Sequence, residues 1–127
     1  MRTILAALAL IMGCIAVGTA PAQASPLADC QVANVRLDFD NFGSTGGFHA
    51  YCQQSRWVAA TTAFYDVYGN RLTGNGGSHR VPADGQWHWI HADTSWGGVW
   101  QPVHGGCIWI NLDNPSGPVL YSVCKSK

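Results

Sequence analysis

The sequence predicts an all-β domain, a small antiparallel β-sandwich or barrel held together by two disulfides. Helix-favouring residues are scarce, because residues 25–127 contain no Glu and little Lys or Leu, whereas Gly, Thr, Val, Trp and Tyr are common. Short segments alternate apolar and polar side chains, and turn-forming residues recur roughly every 8–12 positions. These features are typical of a sandwich with an immunoglobulin-like architecture.

A true immunoglobulin domain is not predicted. Such a domain carries a Tyr two residues before the second sheet cysteine. Here Gly105 occupies that position before Cys107. The prediction is therefore limited to architecture, which does not by itself specify a function.

Residues 1–24 have the pattern of a secretory signal peptide. Arg2 gives a positive start, an apolar run extends over residues 4–17, and Ala22-Gln23-Ala24 is a small-x-small cleavage site. The apolar run is too short for a comfortable membrane span. We therefore expect residues 25–127 to form a single secreted β domain of 103 residues.

Two alternatives to a cleaved leader remain open. The leader could stay as an uncleaved anchor, or Cys14 could be acylated, since residues 11–14 loosely fit a lipobox. The residues after Cys14 stay apolar, which favours a continuing signal-peptide core. The predicted location is extracellular, with the periplasm or cell envelope as alternatives.

Strands are predicted where apolar and polar residues alternate or where β-branched and aromatic residues cluster. Residues 35–40 give the clearest half-buried strand, because apolar and charged side chains alternate there. Further strands are predicted at residues 48–53, 57–67, around Leu72, and at 86–92, 99–103, 108–112 and 119–123. Residues 99–103 would form an edge strand, since Pro102 cannot donate to a ladder.

The intervening segments contain turn and loop signals. The Gly-rich residues 41–47 are predicted to form a loop, and residues 74–78 a mobile loop without regular structure. Turns are predicted at residues 66–71, 82–85 and 113–117.

The four cysteines after the leader predict two disulfides, because their number is even in a small exported domain. Folding the terminal hairpin about Pro115 brings residue 107 opposite residue 123 or 124. This favours Cys107–Cys124 and leaves Cys30–Cys52. The main rival pairs Cys52 with Cys107 across two sheets and Cys30 with Cys124.

Charge and motif content argue against several classes of function. The six Lys and Arg and seven Asp of residues 25–127 nearly balance, so neither nucleic-acid binding nor membrane association after signal removal is predicted. No cysteine lies in a C-x-x-C pair, and His88 and His91 fall on opposite faces of a strand. A site built from His91 and Asp93 with His104 or His49 is not fixed by any spacing. No metal or cofactor is predicted.

Hydrolase signals are weak. No Gly-x-Ser-x-Gly motif is present, and the chain has no Glu, so a glycosidase would need two Asp residues. Asp38 and Asp40 share a strand face, but beside Arg36 they are more simply a solvated stripe. Oxidised cysteines would exclude a thiolate nucleophile.

Tryptophan crowding is the unusual feature, since five of the six Trp lie between residues 87 and 109. Trp87, Trp89 and His91 share one strand face, and we expect at least one of the two Trp to be buried because a small domain has few other large side chains. Trp89 and Trp109 are predicted to belong to the core. Trp96, followed by two glycines, is predicted to be exposed.

These features together predict a secreted, non-catalytic binding module. The predicted ligand residues are Trp96 as the anchor, helped by Trp100 and His91, since exposed aromatic rings anchor both proteins and sugars. An extracellular protein ligand, as for an inhibitor or effector, is slightly favoured. The alternatives are a glycan or cell-wall binding module, a small extracellular hydrolase, or an envelope component without a discrete ligand.

Overall fold

The computed structural model of the protein describes residues 29–127. The predicted signal peptide at residues 1–24, and Cys14 within it, lie outside the described residues. The described chain is all-β, as predicted, and forms two antiparallel sheets. Within this part of the chain, no helix is long and apolar enough to cross a bilayer.

Eight strands build the two sheets. They are β1 (Cys30–Phe39), β2 (Gly43–Cys52), β3 (Arg56–Tyr65), β4 (Arg71–Val81), β5 (His88–His91), β6 (Thr94–Ser95), β7 (Gly105–Leu112) and β8 (Val119–Ser126). Sheet A has the order β1-β2-β5, with the short β6 also paired to β2. Sheet B has the order β4-β3-β7-β8. The predicted sandwich architecture is thus confirmed.

The core lies between the inward faces of the two sheets. Its largest fully buried side chains are Phe48 from sheet A and Phe64, Ile108, Ile110 and Leu112 from sheet B. Because successive side chains of a strand point to opposite faces, these positions fix the orientation of every neighbour. The core therefore determines which aromatic rings face solvent.

The sequence prediction of two glycine-rich loops was wrong in large part. Strand β2 already begins at Gly43, and all of residues 74–78 lie within β4. Gly74 pairs with Ala63 and Ser78 with Ala59, so their backbone groups belong to a regular ladder. The ladder with β3 satisfies the main chain even where glycine offers no side chain to pack.

The predicted edge strand at residues 99–103 does not form. This segment is instead a loop tied by single hydrogen bonds, in which the Gln101 N–H donates to the Asn41 carbonyl over 2.8 Å and the Val103 N–H to the Gln101 carbonyl over 2.8 Å. Val103 is buried against the core, while Pro102 has no N–H to extend a ladder. The buried side chain of Val103 and these hydrogen bonds therefore fix the segment as a loop instead of the expected strand.

Both favoured disulfides are confirmed. Cys30–Cys52 joins β1 to β2, and both of its cysteines are buried. Cys107–Cys124 joins β7 to β8 at directly paired positions, with Cys124 exposed on the outside of sheet B. Two disulfides are consistent with an extracellular location.

Candidate ligand-binding surface

An aromatic surface covers the outward side of sheet A where β2 and β5 pair. We call it the aromatic face, and it consists of His49, Tyr51, Trp87, Trp89 and His91. Its rings lie in contact pairs: His49 and Trp89 have centroids 4.9 Å apart, Tyr51 and Trp87 5.7 Å, and Trp89 and His91 6.1 Å. These spacings are those of favourable edge-to-face and tilted aromatic pairs.

Strand parity explains why these rings face outward. Phe48 and Ala50 of β2 are fully buried, so His49 between them must point to the other face. His49 pairs with Trp89 in the β2–β5 ladder, and paired residues share a face. The outward direction of the aromatic face therefore follows from the burial of Phe48 and Ala50 on the inward side of β2.

The expectation that Trp87 or Trp89 would be buried was wrong. Trp87 is 46% exposed and Trp89 38% exposed. Strand β5 contributes Ile90 to the core instead, and the rest of the core is filled by smaller side chains from both sheets, among them Leu37 and Phe48 of sheet A. Trp109, also expected in the core, is half-buried on the outer side of sheet B, because its neighbours Ile108 and Ile110 point inward.

Trp89 lies over a glycine. A Cβ atom built on Gly47 would lie 2.8 Å from Cε2 of Trp89 and closer still to its Cζ2, so the six-membered ring of the indole covers Gly47. No larger residue fits beneath the ring. One side of the indole thus packs on the backbone of β2 while the residue remains partly open to solvent.

Side-chain hydrogen bonds lie at one end of the aromatic face and along its border with β1. His88 Nε2 donates to the carboxylate of Asp84, with distances of 2.8 and 2.9 Å to its two oxygens, which ties the preceding turn to the start of β5. This hydrogen bond lowers the pKa of Asp84 below its ordinary value. Asn34 Nδ2 of β1 lies 3.3 Å from Nδ1 of His49. The first contact restricts the start of β5, and the second restricts the ring of His49.

A cleft opens beside the aromatic face, between the edge strand β4 of sheet B and the β5–β6 segment of sheet A. It has a volume of about 240 Å³. The cleft is lined by residues of β3, of β4 and of the β5–β6 segment: Ala60, Thr62, Asn75, Gly76, Gly77, His79, His91, Ala92, Asp93 and Thr94. The cleft therefore combines an apolar wall with hydroxyl, amide, imidazole and carboxylate groups.

The groups in the cleft are partly engaged with each other. The hydroxyls of Thr62 and Thr94, both buried, are 3.1 Å apart. One oxygen of Asp93 accepts a hydrogen bond from the Gly46 N–H over 2.9 Å, and the other lies 3.8 Å from Nδ1 of His91. Asp93 is thus held at the mouth of the cleft with one oxygen directed toward His91.

Of the three predicted ligand residues, the structure places His91 in the aromatic face, where it touches Trp89. Trp96 is not exposed as expected: its indole N–H donates to the Asn41 carbonyl over 2.9 Å and its ring lies 5.1 Å from that of Phe64. The following Gly97 and Gly98 both have positive φ and turn the chain back. Trp100 is 58% exposed in the loop that follows.

No group of three or more His, Cys, Asp or Glu in residues 29–127 is arranged to hold a metal ion. A second depression contains Asp38, Asp40 and Asp93. Asp38 pairs with Lys125 at 2.9 Å, and Asp40 accepts hydrogen bonds from the Phe42 and Gly43 N–H groups. These backbone hydrogen bonds lower the pKa of Asp40.

Sequence reasoning overlooked four residues of the surface: His49, Tyr51, Trp87 and Trp89 were not assigned to it. A signal was present, because residues 47–52 alternate small or apolar side chains with imidazole and phenol. The same alternation had already placed Trp87, Trp89 and His91 on one face. Assigning large aromatics to the core by size concealed this pattern.

Comparisons with known proteins give little further information. No family model matches the chain, and no curated protein matches it significantly. Among solved structures, a protein of Bacteroides fragilis named as a β-galactosidase aligns with a TM-score of 0.41 and 15% identity, over 80% of this chain and 16% of that chain. The chain thus spans about a sixth of that protein. At this level the similarity says nothing about function.

Proposed function

We propose that this protein is a secreted, non-catalytic binding module that holds its ligand on the aromatic face of sheet A. The observation that carries the proposal is Trp89, whose indole rests on Gly47 between His49 and His91 and remains partly exposed. A ring fixed in this way presents a large contact area while losing little side-chain entropy on binding.

The location of the ligand surface differs from the one expected in the loop at residues 93–98. Trp96 is left out, since its N–H and its ring are already engaged with Asn41 and Phe64. His91 is retained because it touches Trp89. Exposed large aromatic groups on a small domain are typical of interaction sites.

A binding role is favoured over hydrolysis by what the carboxylates do. Asp38, Asp40 and Asp93 each accept a hydrogen bond from Lys125 or from backbone N–H groups. Hydrolysis of a glycosidic bond by two carboxyl groups requires one of them to donate a proton. The backbone N–H groups that bond Asp40 lower the pKa of that carboxyl, which does not suit a proton donor.

Secretion is supported by the leader pattern of residues 1–24 and by the two disulfides. Both disulfides join neighbouring strands of small hairpins. Disulfides of this kind persist in oxidising compartments and are rare in the cytosol.

The test compares two exposed tryptophans on opposite sheets. The secreted protein is mixed with insoluble cell-wall polysaccharide and, separately, with immobilised extracellular protein from a culture supernatant, and its depletion from solution is measured. Trp89→Ala should weaken retention on one of these probes by at least about tenfold, because truncating an anchor removes most of its contact.

Trp57→Ala is the matched control, since Trp57 is 50% exposed but belongs to sheet B. It should retain binding. Absence of binding to both probes, or equal losses in the two variants, would overturn the proposal. Thermal melting of both variants checks that each remains folded.

A further inference from the structure

We infer that the ligand is a neutral polysaccharide, which stacks on the aromatic face and places a sugar residue in the cleft between β4 and β5. This inference rests on the proposed function and specifies the chemistry of its ligand. It depends on three observations: the continuity of face and cleft, the chemistry of the cleft, and the distribution of charge.

The aromatic face and the cleft are continuous through one residue. His91 touches Trp89 on the aromatic face, with ring centroids 6.1 Å apart, and it also lines the cleft. Asp93, two residues later, lies at the same mouth. A chain of repeating units lying along Trp87, Trp89 and His91 therefore runs directly to the cleft, whereas a flat protein surface covering the face would leave the cleft empty.

The groups of the cleft match a sugar rather than an apolar ligand. Asn75, His79 and Asp93 supply hydrogen-bond donors and acceptors, and Ala60 supplies an apolar wall. Sites for small polar ligands combine a mostly apolar lining with a few placed polar groups in this way. A volume of about 240 Å³ is sufficient for a small unit such as one sugar residue.

Gly77 keeps the cleft open. It pairs with Ala60 and lines the cleft, and a Cβ built on it would meet only the Nε2 atom of His79, at 3.6 Å. A larger side chain there would enter free space and occupy the site. At Gly77 the backbone of β4 thus forms a wall of the cleft, and the side chain of any larger residue at this position would fill part of the cleft.

The charges favour a neutral ligand. None of the five residues of the aromatic face is Lys, Arg, Asp or Glu. At one end of the face Asp84 is paired with His88. At the other end Arg36 of β1 pairs with Gly47, whose partner on β5 is His91. The carboxylate of Asp93 at the mouth of the cleft would repel an acidic sugar.

The experiment uses affinity electrophoresis of the disulfide-bonded protein in gels containing a soluble β-glucan, xylan, galactomannan or, as the anionic probe, polygalacturonate. Retardation is expected in at least one neutral gel and not with polygalacturonate. Trp89→Ala should reduce the affinity at least about tenfold. Gly77→Val should reduce it about tenfold by filling the cleft while leaving the aromatic face intact.

Ser78→Val is the matched control, because Ser78 is exposed on the same strand, pairs with Ala59 and does not line the cleft. It should leave retardation unchanged. If Gly77→Val does not fold, as judged by circular dichroism, Asn75→Ala tests the cleft instead, since Asn75 is exposed at its rim.

Three outcomes would overturn the inference. The first is that no neutral polysaccharide retards the protein, whereas extracellular protein captures it in a way that depends on Trp89. The protein would then be a binding module with a protein ligand. Binding that both cleft variants leave unchanged would exclude the cleft. Equal or tighter binding to polygalacturonate would exclude a neutral ligand. If neither a polysaccharide nor an extracellular protein bound in a way that depends on Trp89, the proposed function itself would be wrong.

Discussion

At the scale of single residues, the aromatic face depends on a position without a side chain. Gly47 lies beneath the ring of Trp89, and a Cβ there would also come within 2.6 Å of the Ile90 carbonyl oxygen. The absence of a methyl group therefore sets both the distance between β2 and β5 and the position of the indole. This dependence is invisible in the sequence, where Gly47 is one of three glycines within residues 43–47.

We expect Gly47→Ala to displace Trp89 and to destabilise the fold by about 1–3 kcal/mol, the usual cost of forcing extra atoms into a packed site. Urea unfolding and the near-UV circular dichroism of the tryptophans measure the two effects. Gly76→Ala is the control, since its Cβ has ordinary neighbours, and it should be neutral or slightly stabilising. Unchanged spectra and stability for Gly47→Ala would show that the ring does not rest on this residue.

At the level of residues, the alternation of side chains along a strand correctly predicted which residues share a face. Side-chain size did not correctly predict which residues are buried. Alternation correctly grouped Trp87, Trp89 and His91 on one face. The expected burial of a large Trp failed, because Phe48 and Ile90 fix the inward face and leave the indoles outside. The prediction for Trp96 was wrong in the opposite direction. Trp96 was expected to be exposed, but its indole N–H donates to the carbonyl of Asn41, which is distant in the sequence.

At the scale of elements, hairpins were predictable and ladders between distant strands were not. The β7–β8 hairpin and its disulfide followed from local spacing about Pro115. The glycine-rich part of β4 could not be recognised, because its regular structure comes from pairing with β3 rather than from its own side chains. The cleft, formed between β4 and the β5–β6 segment, was beyond sequence reasoning for the same reason.

The two disulfides should differ in their susceptibility to reduction. Cys124 is exposed on β8, whereas Cys30 and Cys52 are both buried in the core. A thiolate reductant must reach a sulfur atom, so rising dithiothreitol should open Cys107–Cys124 first. Alkylation of the freed thiols followed by peptide mass mapping measures the order.

The double variant Cys107→Ser/Cys124→Ser should lose about 2–4 kcal/mol of stability, because the unfolded chain is no longer constrained. Its remaining disulfide, Cys30–Cys52, should keep the slow reduction of the native protein. Simultaneous opening of both bonds in the native protein would instead mean that reduction requires global unfolding.

At the scale of the whole molecule, Arg56 links the two sheets at one end of the sandwich. It makes two hydrogen bonds to Asp113 in the β7–β8 turn, at 2.7 and 3.0 Å, and one to Asp29 before β1, at 3.2 Å. The hydrogen bond from Arg56 lowers the pKa of Asp113 below its ordinary value. The pKa of Asp66 is lowered as well, chiefly by the backbone N–H of Asn70 in the β3–β4 turn.

Because these folded-state pKa values are depressed, the corresponding stability is present above the unfolded Asp pKa of about 3.9 and is lost as the pH falls through the folded values. We therefore expect the melting temperature to decrease below about pH 4. Arg56→Met should reduce this acid dependence. Arg80→Met, whose Nε donates to Ser55 rather than to a carboxylate, should retain it, and an identical effect of both variants would contradict the assignment.

Neither of the two disulfides connects sheet A to sheet B: each closes one hairpin within a sheet. When the oxidised chain unfolds, two hairpin loops, of sequence separation 22 and 17, remain closed. Part of the loop-closure entropy of a β-rich fold is then already lost in the unfolded ensemble. The contacts still to be formed are those between distant strands and between the two sheets. Such long-range contacts form slowly, and each refolding event starts from two loops that are already covalently closed.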